Sequence, residues 1–442
     1  MTRRFHLFAA VLAAVLLVAG PAPAAIDIQP VKTPGGLTVW LMEDHTNPIV
    51  SVEFSFRGGS ALDPAGKEGL ANMASATMDE GAADLDSQAF QQTLEDKAIR
   101  IKFNAGMDTF GGSLQTLTRN RDEAFQLLRK ALTAPRFDAE PLERIRSQIL
   151  VGLKRDEEDP QSLAGDAMRD VLYGDHPYGR NADGTPDSVK AITADDLKGF
   201  VARRLARDNL VIGVVGDVDA KTVAAAVDAA FGALPAKATP WALQKIRANT
   251  DGRTIVIDRD IPQSAIFFAD QGLKRPDPDF YAAYVMNHIL GGGGFTSRLY
   301  REIREKKGLA YSVSTGLHPR DYSATLVGGA GTANARVKET LDILKAEWHR
   351  MAEAGVTDEE LNDAKTYLTG AYPLRFSSSS RIARMLVGLQ LDDLGIDYVK
   401  KRNGYIEAVT RDDIARVAKK LLDPKRLVTV VVGRPEGVAS TN

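Results

Sequence analysis

One pattern of apolar and polar positions occurs twice along the chain. "AITADDLKGFVARRLARDNLVIGVVGDV", from Ala191, aligns without a gap with "AVTRDDIARVAKKLLDPKRLVTVVVGRP", from Ala408. Each reads as a Thr cap, an Asp-Asp first turn, an amphipathic helix, a short connection and an apolar strand ending in Gly. Earlier, "NPIVSVEFSFRGGSALDP", from Asn47, matches "IPQSAIFFADQGLKRPDP", from Ile261, more loosely and at a similar offset. A repeat of about two hundred residues is too long for a solenoid unit and marks a duplicated domain. Strands and helices such as "DEAFQLLRKALTA" and "RVKETLDILKAEWHRMAEAG" come in blocks rather than in strict alternation. That predicts α+β layering instead of a doubly wound parallel sheet. The expected organisation is two homologous lobes, residues 26–235 and 253–442, enclosing a cleft or chamber. "PAKATPWALQKIRANTDG" between them has no sustained period, and residues 236–252 read as a linker.

Composition changes this picture in three places. Arg3 and Arg4 precede an apolar run from Leu7 to Val18 and the small-residue site Ala22-Pro23-Ala24. The run is shorter than the ~20 residues of a bilayer span, so the first segment reads as a cleavable secretory signal. Its expected extent is residues 1–25. No later segment is long and apolar enough for a stable membrane span, and the expectation is an exported, periplasmic protein. Cysteine is absent, which excludes a lipoprotein thiol, a disulfide framework and a thiolate metal site. The 56 basic residues nearly balance the 58 acidic ones, which argues against nucleic acid as the main partner.

"GGGGFTSRLYREIREKKGLAYSVST", residues 291–315, is the densest chemical signal. Its glycines follow the helix-like "YAAYVMNHIL", and Phe295 stands where a phosphate loop needs Lys, so the phosphate reading is poor. Gly292, Gly293 and Gly294 would let another backbone approach closely, as an extended peptide does. A flexible loop between helices serves equally well. Thr296 or Ser297 is placed to cap a following helix whose buried stripe is Leu299 and Ile303. Lys306 and Lys307 suit its negative end, and Gly308 its C′ position. "LAYSVST" then alternates as a strand. If that strand folds back, Arg304 in the last turn and Tyr311 at the strand start converge on one acceptor. Such a donor pair suits a peptide carbonyl or a developing oxyanion.

The whole string resembles the C-terminal-domain signature of the insulinase/pitrilysin family, in particular the two-chain members related to the mitochondrial processing peptidase. The resemblance extends over nearly all of the chain after the leader: the duplicated halves, "GSALDPAGKEGLA", the strand-ending "VVGDV" and the linker. It implies that each lobe is a mainly antiparallel sheet with helices packed on it. It also implies that an Arg and a Tyr, here Arg304 and Tyr311, contact substrate near zinc. In "IKFNAGMDTFGGSLQTL" it implies that Asn104, Ala105 and Gly106 form an edge to which substrate adds as a strand. A bulge beside a hairpin is the plainer reading of those three.

The family's catalytic half carries H-x-x-E-H, in which two His bind zinc and the Glu acts as base. Here "GGSALDPAGKEGLA" leads instead into "NMASA", with Asn72, Ser75 and Ala76 at the His, Glu and His positions. The third ligand, a Glu on a later helix, aligns with Gly152, or in another register with Glu157 or Glu158. Among His6, His45, His176, His288, His318 and His349 no two are spaced to share a helical face. Asp79 and Glu80 read as a solvated turn before Gly81, and no G-x-S-x-G elbow occurs. The chain is expected to bind no metal or other cofactor itself, with zinc held by a homologous partner subunit that carries H-x-x-E-H. The expected function is therefore a non-catalytic, substrate-binding subunit of a heterodimeric zinc metallopeptidase acting on peptides, donating Arg304 and Tyr311 in trans. The alternative is a peptide-binding or scaffold protein without a proteolytic role. A self-sufficient peptidase with a different metal site comes third.

Overall fold

A computed structural model of the chain describes residues 27–441, so the leader expected at residues 1–25 lies outside them. The first sheet contains β1 (Gln29–Lys32), β2 (Thr38–Glu43), β3 (Ile49–Arg57), β4 (Arg100–Ala105), β5 (Thr109–Leu117) and β6 (Leu210–Gly216), in the order β1-β2-β6-β3-β5-β4. The second contains β7 (Thr254–Ile257), β8 (Gln263–Gln271), β9 (Ala310–Pro319), β10 (Ala324–Ala333) and β11 (Val428–Val432), in the order β7-β11-β8-β10-β9. Every pairing is antiparallel except β2 with β6 and β7 with β11, which occupy corresponding places. The duplicated α+β architecture read from the sequence is the one observed, each lobe a mainly antiparallel sheet with helices on it. Thr193 and Thr410 both close reciprocal capping boxes, with Asp196 and Asp413, at the start of the repeated helix.

Five helices bear on the site: α1 (Leu70–Thr77), α2 (Ala139–Asp156), α3 (Pro160–Tyr173), α4 (Phe280–Asn287) and α5 (Ser379–Leu391). Each half lends one of them to the other. α3 belongs to the first half, yet its Ala164, Met168, Leu172 and Tyr173 pack with Ala265, Ala269, Val428 and Val430 of the second sheet. α5 belongs to the second half, and its Ile382, Ala383 and Leu386 pack on Val215 of the first. Both sheets are thereby covered on two faces at their centres. That is why β6 and β11 are near-continuous apolar runs rather than alternating ones.

Residues 235–253 form neither helix nor strand, and they are held in place along their length. Trp241 Nε1 donates to the Tyr322 hydroxyl at 3.1 Å, Ile246 N to Tyr322 O at 2.9 Å and Gln271 Nε2 to Ala248 O at 2.7 Å. A second tie between the halves is the buried Tyr178, whose hydroxyl donates to Asp108 and accepts from Tyr322 N at 3.0 Å. Burial and the adjacent Asp108 raise the Tyr178 pKa above the ordinary phenol range, so this hydroxyl stays a donor.

Candidate functional site

α1 starts where Asp63 accepts backbone N–H groups from Gly69 at 3.1 Å and Ala71 at 3.2 Å. Asp63 is 5% exposed, and burial pushes its carboxyl up to about 7 despite those donors. On this helix Asn72 and Ala76 are half-buried on one face, four positions apart as the motif requires. Their chemistry does not follow the motif. Ser75 donates its hydroxyl to Asn72 O at 2.8 Å, an intrahelical bond. An amide, a hydroxyl and a methyl neither hold zinc nor take a proton from water. Gly152 lies on α2, which packs beside α1, and a side chain there would meet nothing within 4 Å. Glu157 and Glu158 lie exposed just beyond the end of α2. Among the described residues no group of three or more His, Cys, Asp or Glu is placed to hold a metal ion.

The described histidines are engaged elsewhere. His45 pairs with Asp217 at 2.7 Å on the surface, His176 Nδ1 accepts from Tyr178 N, and His288 stacks on Tyr367. His318 lies on β9, and His349 is exposed on the helix Val337–Ala354. The reading of Asp79 and Glu80 as a solvated turn is corrected. Burial pushes Asp79 up to about 6, and Glu80 accepts from Arg144 and Ser87 while Gln91 holds Asp79 O. Tertiary packing of α2 and the helix Ser87–Asp96 covers a segment whose composition suggested solvent.

In the second lobe α4 runs into a π-helical turn, His288–Gly292, and a second one, Tyr300–Glu305, carries Arg304. Such turns are rare and often accompany functional sites. The glycines between them have internal reasons. A Cβ at Gly291 would lie 2.5 Å from Thr315 Oγ1, one at Gly292 2.5 Å from Asn287 Nδ2 and one at Gly293 2.7 Å from His288 O. Gly294 takes φ +59°, with nothing within 4 Å of its Cβ position. The expected cap is not made. Thr296 and Ser297 donate their hydroxyls backward to Gly293 O and Gly294 O, at 3.1 and 2.8 Å, instead of accepting from the next turn. Leu299 and Ile303 are fully buried, and Gly308, at φ +61°, donates to Arg304 O at 2.9 Å and turns the chain into β9.

That turn brings Arg304 and Tyr311 together. Arg304 Nη1 donates to Tyr311 O, and its guanidinium lies 4.7 Å from the Tyr311 ring centre and 5.1 Å from that of Tyr300. Tyr311 is 81% exposed. The result is a cation and a phenol held side by side at the start of an edge strand. Asn104 and Ala105 end β4, the corresponding edge of the first sheet. Gly106 lies in the turn beyond: its N–H donates to Thr109 O at 2.7 Å and its carbonyl accepts from Ser60 N at 2.9 Å.

Sequence reasoning missed a cavity of about 740 Å³ between α3 and the second sheet. Its wall includes Tyr311, Arg169 and Arg320. No local motif signals it, because its floor and roof lie more than a hundred positions apart.

A family model described as "Peptidase M16 inactive domain" matches residues 191–368. A protein of Helicobacter pylori named "Non-peptidase homolog YmxG" is 30% identical over 77% of this chain and 79% of its own length. The "Uncharacterized zinc protease SCO5738" of Streptomyces coelicolor is 30% identical over 78% and 79%. A crystal structure described as a peptidase M16 inactive domain from Pseudomonas fluorescens superposes with a TM-score of 0.85 at 29% identity, covering 94% of this chain and 99% of that one.

Proposed function

The chain belongs to the peptidase M16 family as a member of the inactive type, and from that premise we propose that it is the non-catalytic, substrate-binding subunit of a periplasmic heterodimeric metallopeptidase. The partner is a homologous chain with an intact H-x-x-E-H that brings zinc, water and base. This chain closes the chamber and presents Arg304 and Tyr311 to the scissile carbonyl, while the β4 edge around Asn104 and Ala105 and the turn glycines Gly292 to Gly294 guide the peptide backbone.

One observation supports this reading above the rest. The donors are built, Tyr311 exposed and Arg304 half-buried against it, whereas Asn72, Ser75 and Ala76 provide nothing that activates water. The labour divides along a chemical line. Positioning a carbonyl and stabilising its developing charge can be done from across an interface, but the nucleophile must form at the metal. Arg304 suits the first task because the ring of Tyr311 and its carbonyl fix the guanidinium before substrate arrives. The test is peptide turnover by the co-purified complex carrying Arg304→Ala or Tyr311→Phe. Reduced turnover with assembly intact supports the role, and unchanged turnover in both variants removes it.

A further inference from the structure

The cavity beneath β9 has a chemistry that the Arg304–Tyr311 pair does not use. Its roof is α3, with Met168, Leu172 and Arg169, and its floor is the exposed face of β9 and β10. The floor is bare because β10 carries Gly329 and Gly331, and a Cβ at Gly331 would meet nothing within 4 Å. The titratable side chains of known charge along the wall are cationic. Arg169 and Arg320 line it together with His318, and no Asp or Glu does.

Neither arginine is fully satisfied. Arg320 rests against two aromatic faces, 5.2 Å from the Tyr178 ring centre and 6.0 Å from that of Tyr173. Its Nη1 is buried without a hydrogen-bond partner among the described residues, as is Arg169 Nε. Asp166 engages Arg169 Nη2 from α3 itself, and the charge of Asp183 also acts on this guanidinium. Burial, and then the charge of Arg320, pull the Arg169 pKa below the ordinary guanidinium range, so the two cations sit within reach of each other's field. Tyr178, which Asp108 and Tyr322 pin in place, holds the Arg320 guanidinium against its ring and so restricts where that cation can go. Two like charges beside an apolar wall of Phe267, Met168 and Leu172 make a site that gains by taking up a negative group with an apolar neighbour.

We infer that this cavity binds the carboxylate of a peptide through Arg169 and Arg320, with an adjacent apolar side chain packed against Met168, Leu172 and Phe267. The inference rests on the reading of this chain as a peptide-binding subunit and names the peptide feature it selects. β9 is the outer strand of its sheet, so a peptide laid along it would turn alternate side chains toward Ser312, Ser314 and the cavity behind them. The carboxylate belongs either to the chain terminus or to an Asp or Glu side chain.

Titration calorimetry of the purified chain with three acetylated pentapeptides tests this. One ends in Leu as the free acid, the second is its amide, and the third is that amide with one internal Glu. The free acid should bind about tenfold or more tightly than the amide, and added salt should shrink the difference. Tighter binding of the Glu-containing amide than of an acid and plain amide that bind alike keeps the carboxylate site and assigns it to side chains. Arg320→Gln and Arg169→Gln should each abolish the preference. Gly331→Val, which places bulk on an open floor, should weaken the free acid while leaving the unfolding temperature in place. Equal binding of all three peptides by the unaltered chain, no binding of any of the three, or an intact carboxylate preference in either arginine variant overturns the assignment. The subunit reading is judged separately, by whether a partner co-purifies and the complex cleaves peptides.

Discussion

The first sheet and the second share a strand order and each receives a helix from the other half, but one contact is closed and the other is open. On the first sheet α5 sits tightly. Gln115 Nε2 donates to Ser380 Oγ at 3.1 Å, Gln390 Nε2 to Ile212 O at 3.0 Å, and a Cβ at Gly213 would lie 2.7 Å from Ala383 O. On the second sheet α3 covers β8 and β11 and leaves the cavity over β9 and β10. The difference continues in α1 and α4, which follow Asp63 and Asp277, matched positions of the repeat. α1 is regular and chemically bare at Asn72, Ser75 and Ala76, whereas α4 leads into glycines, π-helical turns and Arg304. Duplication kept the scaffold in both halves, and the distinctive side-chain chemistry of the site is concentrated in the second.

The sharpest way to break this comparison is to exchange weight between the two halves. Arg304→Ala should lower turnover of the complex by roughly two orders of magnitude, the size expected for losing one oxyanion donor. Asn72→Ala, at the matching place of the first half, should change it less than about twofold. Steady-state kinetics on complexes checked by gel filtration decides this, and equal losses at both positions would dissolve the asymmetry. Tyr311→Phe should cost about tenfold, the loss of one hydrogen bond.

A smaller effect separates the closed contact from the open one. Gly213→Ala forces a Cβ against the backbone of α5 and should destabilise the chain by about 1–3 kcal/mol in urea unfolding. Gly331→Ala enters open space and should stay within about 0.5 kcal/mol.

The smallest effect is one of pH. Asp63, in front of α1, is buried with its carboxyl pushed up to about 7, whereas Asp277, before α4, is half-buried. The folded state holds the Asp63 proton more tightly than the unfolded chain. Its contribution is therefore fully present below the ordinary carboxylate range and is lost as pH rises through about 7. Asp63→Asn should remove that slope, at most about 1.4 kcal/mol per pH unit, from unfolding curves taken between those limits.

Much of this was legible in the chain because it is local. The repeated Thr–Asp–Asp starts specify capping boxes, and Leu299, Ile303 and Gly308 specify a short helix and its stop. The turn at Gly308 is what makes Arg304 and Tyr311 neighbours. α3 and α5 each bury an apolar stripe, but such a stripe does not say which sheet it will cover. The glycines at the end of the first π-helical turn meet Thr315, Asn287 and the His288 carbonyl, contacts that involve tertiary packing as well as sequence neighbours. Asp79 changes character through burial by helices elsewhere in the chain. Arg169 and Arg320 come within one cavity only after the halves exchange helices, so neither residue signals the site by its own surroundings in the sequence.

Affinity purification of this chain from its native cells, with mass spectrometry of whatever elutes in equal amount, tests the central claim most directly. The account predicts a homologous chain of similar length that carries an intact H-x-x-E-H. Elution of this chain by itself would contradict the divided active site.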